Sequence, residues 1–249
     1  MGNMVATALS SSPDARAGDI LRLRREISRM QRRRAEHRLL PLDPALSSLL
    51  PDSGLVAGTA YTISPSPALT LALLSAASRQ GHWCAVVGMP TLGIEAAAAF
   101  GIDLARLVLV PEPGPRWLSA TSALAEVVPL IAVAPPARAR DADLSRLNSR
   151  LRDRGTTLLV AESAAFDSWP ESQGSIRLSD PHWHGLGEGW GLLSGCTATV
   201  TAQTRRDPRP ARVRVALPSD RGGVEAVTPA ETGALTALPR RVDSLAAAG

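Results

Sequence analysis

Four places in this chain hold residue types that could do chemistry, and each is judged by its spacing. In "DPHWHGLGEGWG", Asp180, His182 and His184 stand together, the donor types that take a divalent cation. Histidines two apart share one face of a strand, but a tetrahedral site needs further ligands and no third or fourth follows. A glycine-rich connection between strands is the favoured reading over a metal site. Glu162 closes a predicted strand, where parallel sheets present functional groups. Acid–base catalysis needs a second group, and without one a capping or hydrogen-bonding role is favoured. Ser194 sits in "GLLSG", which misses the G-x-S-x-G spacing of a nucleophile elbow. The fourth place is "AYTISPSPALTLALLSAA", residues 60–77, laid out as a strand, a tight turn and an apolar helix. That is the plan of a phosphate-binding loop, yet the turn reads Ser64, Pro65, Ser66, Pro67, Ala68, Leu69, Thr70. Such a loop needs glycines so that backbone N–H groups wrap the phosphates, a lysine for their charge and a hydroxyl for Mg²⁺. Here two prolines lack N–H donors, glycine and lysine are absent, and only Thr70 offers the hydroxyl.

Composition sharpens this. All 27 basic residues of the 249 are arginine, so no lysine can act as a phosphate cation, a Schiff-base amine or a base. The net charge is only +4, which makes the distribution of charge more informative than its sum. Hydrophobic residues reach 45% while aromatics are 3%, so the core must be built from Leu, Val, Ile and Ala. Cys84 and Cys196 lie far apart without a CxxC, as expected of free thiols in a reducing cytosol. "MGNMVATALSSSPDAR" lacks the basic and apolar regions of a signal peptide. No uncharged apolar run reaches the ~20 residues of a membrane span. A cytoplasmic protein with no membrane contact, no cofactor and no metal is expected.

The elements that must position these residues follow from periodicity. Ile20, Leu23, Ile27 and Met30 recur at helical spacing in "ARAGDILRLRREISRMQRRRAEHRLL", giving a narrow apolar stripe among many arginines. So narrow a stripe cannot form its own core and must lie on the main domain, another protomer or a partner. Pro41 and Pro44 are expected to end this arm and begin a linker. From Gly54 short apolar strands alternate with helices. Strands are predicted over 59–63, 83–87, 107–110, 130–133 and 157–161, and helices over 68–80, 94–100, 118–127 and 143–152. Val, Leu and Ile runs separated by helices predict an α/β fold with a parallel sheet covered on both faces. Strands over 175–178, 197–204 and 212–217, joined by turns such as "RRDPRP", predict an antiparallel extension. The expected domains are an arm and linker at 1–44, a core at 45–226 and an Ala, Thr and Pro-rich loose tail at 227–249.

This order resembles the RecA-like ATPase core from about Gly54 to Thr204. The segments that carry the resemblance are "GLVAGTAYTISPSPALTLALLSAASRQGHWCAVVG", "AAAAFGIDLARLVLVPEPG" and "LNSRLRDRGTTLLVAE". It implies a P-loop NTPase type of fold, but three parts of the ATPase are missing. The phosphate loop is degenerate, no acid lies between Glu126 and Asp141 to end a Walker B strand, and "VVGMPTLG" lacks a catalytic glutamate. Degenerate Ala/Arg-rich cores with an N-terminal helix resemble the ImuA-type proteins of actinobacteria. That resemblance implies a non-catalytic accessory subunit of damage-induced mutagenesis, with an ImuB-type Y-family-like polymerase homologue and an error-prone polymerase as partners. A DNA-dependent ATPase with an unorthodox phosphate site and a SulA-like sequestering regulator are the alternatives.

Within the resemblance, an N-terminal helix docks on a neighbouring protomer, which makes Ile20, Leu23, Ile27 and Met30 a protein interface and a homo-oligomer an option. Contact of Arg24, Arg25, Arg32 and Arg33 with a DNA backbone is the second reading. The stretch bearing Trp169, Trp183 and Trp190 corresponds to a DNA-lining loop. Its tryptophans could stack on single-stranded bases, with Arg177, Arg205 and Arg206 meeting phosphates. Packing of these rings against the core is the favoured reading.

Overall fold

The computed structural model describes residues 39–164, 166–186, 191–219 and 221–227. The stripe Ile20, Leu23, Ile27 and Met30, the arginines Arg24, Arg25, Arg32 and Arg33, Trp190, and the tail from 228 lie outside the described residues.

Two strands open the described chain, β1 (Leu39–Pro41) and β2 (Gly54–Val56), paired antiparallel. They are followed by β3 (Ala60–Ile63), α1 (Pro67–Arg79), β4 (Cys84–Val87), α2 (Ile94–Ala99), β5 (Leu107–Val110), α3 (Trp117–Leu124), β6 (Leu130–Val133), α4 (Asp141–Arg154) and β7 (Thr157–Ala161). The strands β8 (Gly174–Leu186), β9 (Gly191–Thr204), β10 (Ala211–Ala216) and β11 (Glu225–Ala226) complete it. Nine strands form one sheet in the order β11-β10-β9-β8-β3-β7-β6-β4-β5. From β8 to β5 every pairing is parallel, and from β8 to β11 every pairing is antiparallel. The protein is therefore α/β, with a mostly parallel central sheet and an antiparallel extension.

Alternation along each strand divides the core in two. Tyr61, Ile63, Cys84, Val86, Leu130, Ala132, Leu159 and Ala161 face one cluster with α1, and Ala85, Val87, Ile131, Val133, Leu158 and Val160 face another with Trp117 and the leucines of α4. Both faces of β4, β6 and β7 are buried, which is why their sequences read as unbroken apolar runs. Helix α1 is buried from Leu69 through Ser78, squeezed between the sheet and the N-terminal segment, so it too is apolar on nearly every side. The ends of α4 follow helix electrostatics: Asp141 and Asp143 in the first turn, Arg152 and Arg154 in the last, and Gly155 at φ 71° closing it.

Two expectations are corrected. The stretch after Pro41, read as a linker, is part of the fold: β1 leads into a 3-10 helix, Pro44–Leu49, that packs beneath β10. Leu40, Leu42, Leu46, Leu49 and Leu50 are buried there, and Asp43 accepts a 2.6 Å bond from Arg79 Nη2. Prolines tolerate a strand edge and a first helical turn, so neither breaks this segment. The folded unit therefore begins by Leu39, not after residue 44. The second correction is length. β8 and β9 run well beyond the predicted 175–178 and 197–204, because their glycines are carried by a cross-strand ladder reaching Leu186 and Gly191.

Candidate functional site at the loop after β3

At the carboxyl edge of a parallel sheet the strand ends converge, and the loop after β3 lies in the middle of that edge, between the ends of β7 and β8. Ser66, in extended conformation, caps α1: its Oγ accepts from the Leu69 N–H at 3.3 Å, and Pro67 fills the first helical position. Ser64 is tied to β8 on both sides. Its N–H donates to Ile176 O at 3.1 Å, and its Oγ accepts from the Leu178 N–H at 2.9 Å. The Ser66 N–H turns back to Ser64 O at 2.7 Å. Thr70, fully buried, donates both its N–H and its hydroxyl to Ser66 O at 3.0 Å. A phosphate loop works because its N–H groups point outward into a shared concavity. Here the N–H groups of Ser64, Ser66, Leu69 and Thr70 are all spent inside the protein, and Pro65 and Pro67 have none. The Thr70 hydroxyl, the one group that could have met Mg²⁺, is committed to a carbonyl.

The neighbouring strand ends are closed as well. After β4, Gly88 adopts φ 77° and donates its N–H to Val110 O at 2.9 Å. A Cβ built on Gly88 would collide with Ala134 O, so the tips of β4 and β6 are in backbone contact. Ala134 stands at the end of β6 where an acid would have to sit, and its N–H donates to Val87 O at 2.9 Å.

Glu162, at the end of β7, is the carboxylate on this edge. Its Oε1 accepts from Arg177 Nε at 2.8 Å and Nη2 at 2.7 Å. The pair is a charge-assisted bond across β7 and β8, the hydrogen-bonding role the sequence favoured, with Arg177 supplying the partner sequence spacing had hidden.

The nucleic-acid candidates separate. Trp169 is buried at 2% exposure, with Nε1 donating to Asn148 Oδ1 at 2.8 Å. Its ring packs edge-on to Trp117 and tilted against Phe166 at 5.5 Å. No face of Trp169 is left for a base, so for this ring packing replaces stacking, whereas Trp183, expected to pack as well, is exposed. Arg206 is paired with Asp52 at 2.9 Å, and Arg177 with Glu162. Arg205 and Trp183 are exposed. His182 and His184 do meet, ring centroids 5.0 Å apart, but no group of three possible ligands forms among the described residues. Sequence reasoning missed Asn148, a polar residue in phase with Leu144, Leu147 and Leu151 on the buried face of α4. That phase was the available signal.

Comparison with known proteins adds a framework to this geometry. A family model described as the MT3502 N-terminal domain matches residues 48–171, a little under half of the chain. The chain is also similar to "Uncharacterized protein Rv3395c" of Mycobacterium tuberculosis, 30% identical over 106 residues, covering 42% of this chain and 52% of that protein. The chain thus matches about half the length of this curated relative. The family match takes in β3 through β7 and the loop after β3, and stops short of the antiparallel extension.

Proposed function

We propose that this chain is a non-catalytic RecA-like accessory protein in DNA-damage tolerance. It acts in the cytoplasm beside an ImuB-type, Y-family-like adaptor and an error-prone polymerase. The observation that supports this reading is the loop after β3, a strand-to-helix turn in which the N–H groups of Ser64, Ser66, Leu69 and Thr70 bond inward. The RecA-like assignment is supported by the central place of β3 in the parallel sheet and by the strand-to-helix turn directly after it. Phosphoryl transfer needs charge neutralisation, a metal and a positioned nucleophile. The lysine is absent from the whole chain, the hydroxyl is occupied, and the ends of β4 and β6 offer glycine and alanine. A surface that holds partners is what remains to be selected.

Two measurements test this. Titration calorimetry with Mg-ATP should give no heat of binding, and phosphate release with single-stranded DNA should stay at buffer level. Turnover that survives further purification refutes the non-catalytic assignment. In cells, deleting the gene should lower ultraviolet-induced mutation frequency and leave homologous recombination near wild type, and Pro65→Gly should behave as wild type. Normal induced mutagenesis in the deletion strain refutes the proposed role.

A further inference from the structure

Between the N-terminal segment and the turn from β9 to β10 lies a half-enclosed cleft of about 280 Å³. It stands at the amino-terminal edge of the parallel strands, because Thr204 pairs with Gly174 and Gly174 with Tyr61, near the start of β3. The loop after β3 is at the opposite edge, so the two sites do not overlap. Leu49, Leu50, Ala202 and Ala211 make the cleft apolar at its base. The N-terminal segment adds Ser48 and Ser53 to the lining, and the turn adds Asp207 and Arg209.

The two walls are fastened to each other and stiffened from within. Arg206 Nη1 donates to Asp52 Oδ2 at 2.9 Å, tying the turn to the segment opposite. Inside the turn the Asp207 N–H donates to Thr204 Oγ1 at 3.0 Å, and Gln203 Nε2 donates to Pro208 O at 2.8 Å. Pro208 has a fixed φ, and Pro210 restricts Arg209 before it. A site held in this way loses little affinity to its own ordering. Pairing then leaves two charges over. Asp52 and Arg206 answer each other, but neither Asp207 nor Arg209 has an ion-pair partner among the described residues. Asp207 Oδ1 accepts only the Arg209 backbone N–H, at 3.1 Å, which fixes the carboxylate without neutralising it. The larger hollow along α4 differs on this point: Arg150 and Arg154 reach Glu126, and Arg146 reaches Asp143.

We propose that this cleft binds a free α-amino acid with a small aliphatic side chain. The carboxylate of the ligand meets Arg209, its ammonium meets Asp207, and its side chain lies on Leu49, Leu50, Ala202 and Ala211. Charge decides against simpler ligands. An anion alone is drawn to Arg209 and repelled by Asp207, and a cation alone meets the reverse, so a molecule carrying both charges fits best. Size decides against larger ones. Pockets for drug-sized ligands span about 300–1,000 Å³, and this cleft falls just below that range. The mixture is also the usual one for a small-molecule site, an apolar base with a few placed polar groups.

Titration calorimetry of the full chain with L-leucine and L-valine tests it. Both should bind. Isocaproate, which is leucine without its amine, and isoamylamine, which is leucine without its carboxylate, should each bind about ten-fold more weakly or worse, because one charge of the cleft stays unanswered. Asp207→Asn keeps an oxygen for the Arg209 N–H, and Arg209→Gln keeps the turn between its prolines, so both should fold as the parent does. Each should lose about ten-fold or more of the leucine affinity. Arg205→Gln, exposed and outside the lining, should leave that affinity unchanged. Absence of heat with both amino acids overturns the proposal. So does isocaproate binding as tightly as leucine, or parental leucine affinity in the folded Asp207→Asn and Arg209→Gln variants.

Discussion

Replacing Trp169 with phenylalanine separates a core ring from a DNA-stacking ring. The indole N–H donates to Asn148 Oδ1 at 2.8 Å, and Asn148 in turn donates to Pro170 O at 3.2 Å. Phenylalanine removes the donor and leaves Asn148 Oδ1 buried without it, at a cost of about 1–3 kcal/mol. The smaller ring also leaves a gap against Trp117 and Phe166, adding about 1 kcal/mol. The backbone bond from Trp169 N–H to Thr62 Oγ1 survives, so the loop keeps its path. For a folded unit of this size each kcal/mol moves the midpoint by about 2–4 °C, giving a loss of roughly 4–16 °C in a thermal melt. Oligonucleotide affinity in the same preparation should not change. A stacked base would be worth about 1–3 kcal/mol, so a variant that melts like the parent but binds oligothymidylate at least five-fold more weakly refutes the core assignment.

Two further outcomes follow from the packing. Gly88→Ala forces a side chain into φ 77° and onto Ala134 O, and should cost about 3 kcal/mol or more, whereas Gly114→Ala, at φ 54° with open space around it, should cost only about 1 kcal/mol. Urea midpoints of the two variants compare them, and equal losses would show that the tips of β4 and β6 are not in contact. Burial pushes the Cys84 thiol up to about 12. The unfolded thiol ionises near ~8.5, so above that pH the unfolded chain binds fewer protons than the native one, and stability falls as pH rises, by up to ~1.4 kcal/mol per pH unit from this group until about pH 12. Cys84→Ala should flatten that alkaline decline, and an unchanged slope refutes the buried thiol as its source.

The alternating strands and helices were legible because each fully buried strand is an apolar run bounded by turn residues. The predicted limits 107–110, 130–133 and 157–161 coincide with β5, β6 and β7. The start of α1 is also encoded locally, by Ser66 as cap and Pro67 at the first helical position, one residue before the predicted limit of 68. The segment from Pro41 to Leu50 was not, since proline reads as a break wherever the partner strand or helix turn cannot be seen. Nor was the length of β8 and β9, where glycines in "HGLGEGWGLLSG" signal a loop locally while a cross-strand ladder holds much of the stretch.

At the candidate site the sequence alone determined what chemistry is missing, because absent lysines, acids and glycines are facts of composition that no packing can restore. It could not say where the remaining groups point. Only the tertiary structure decided that Ser64 serves β8, that Glu162 belongs to Arg177, and that Trp169 is buried on Asn148. It alone brought Arg212 and Arg214 beside Thr201 and Thr199 on one face of the sheet. Those partners lie between 11 and 114 residues apart, and a hydrogen bond or a shared face depends on distance in space, which residue type does not encode.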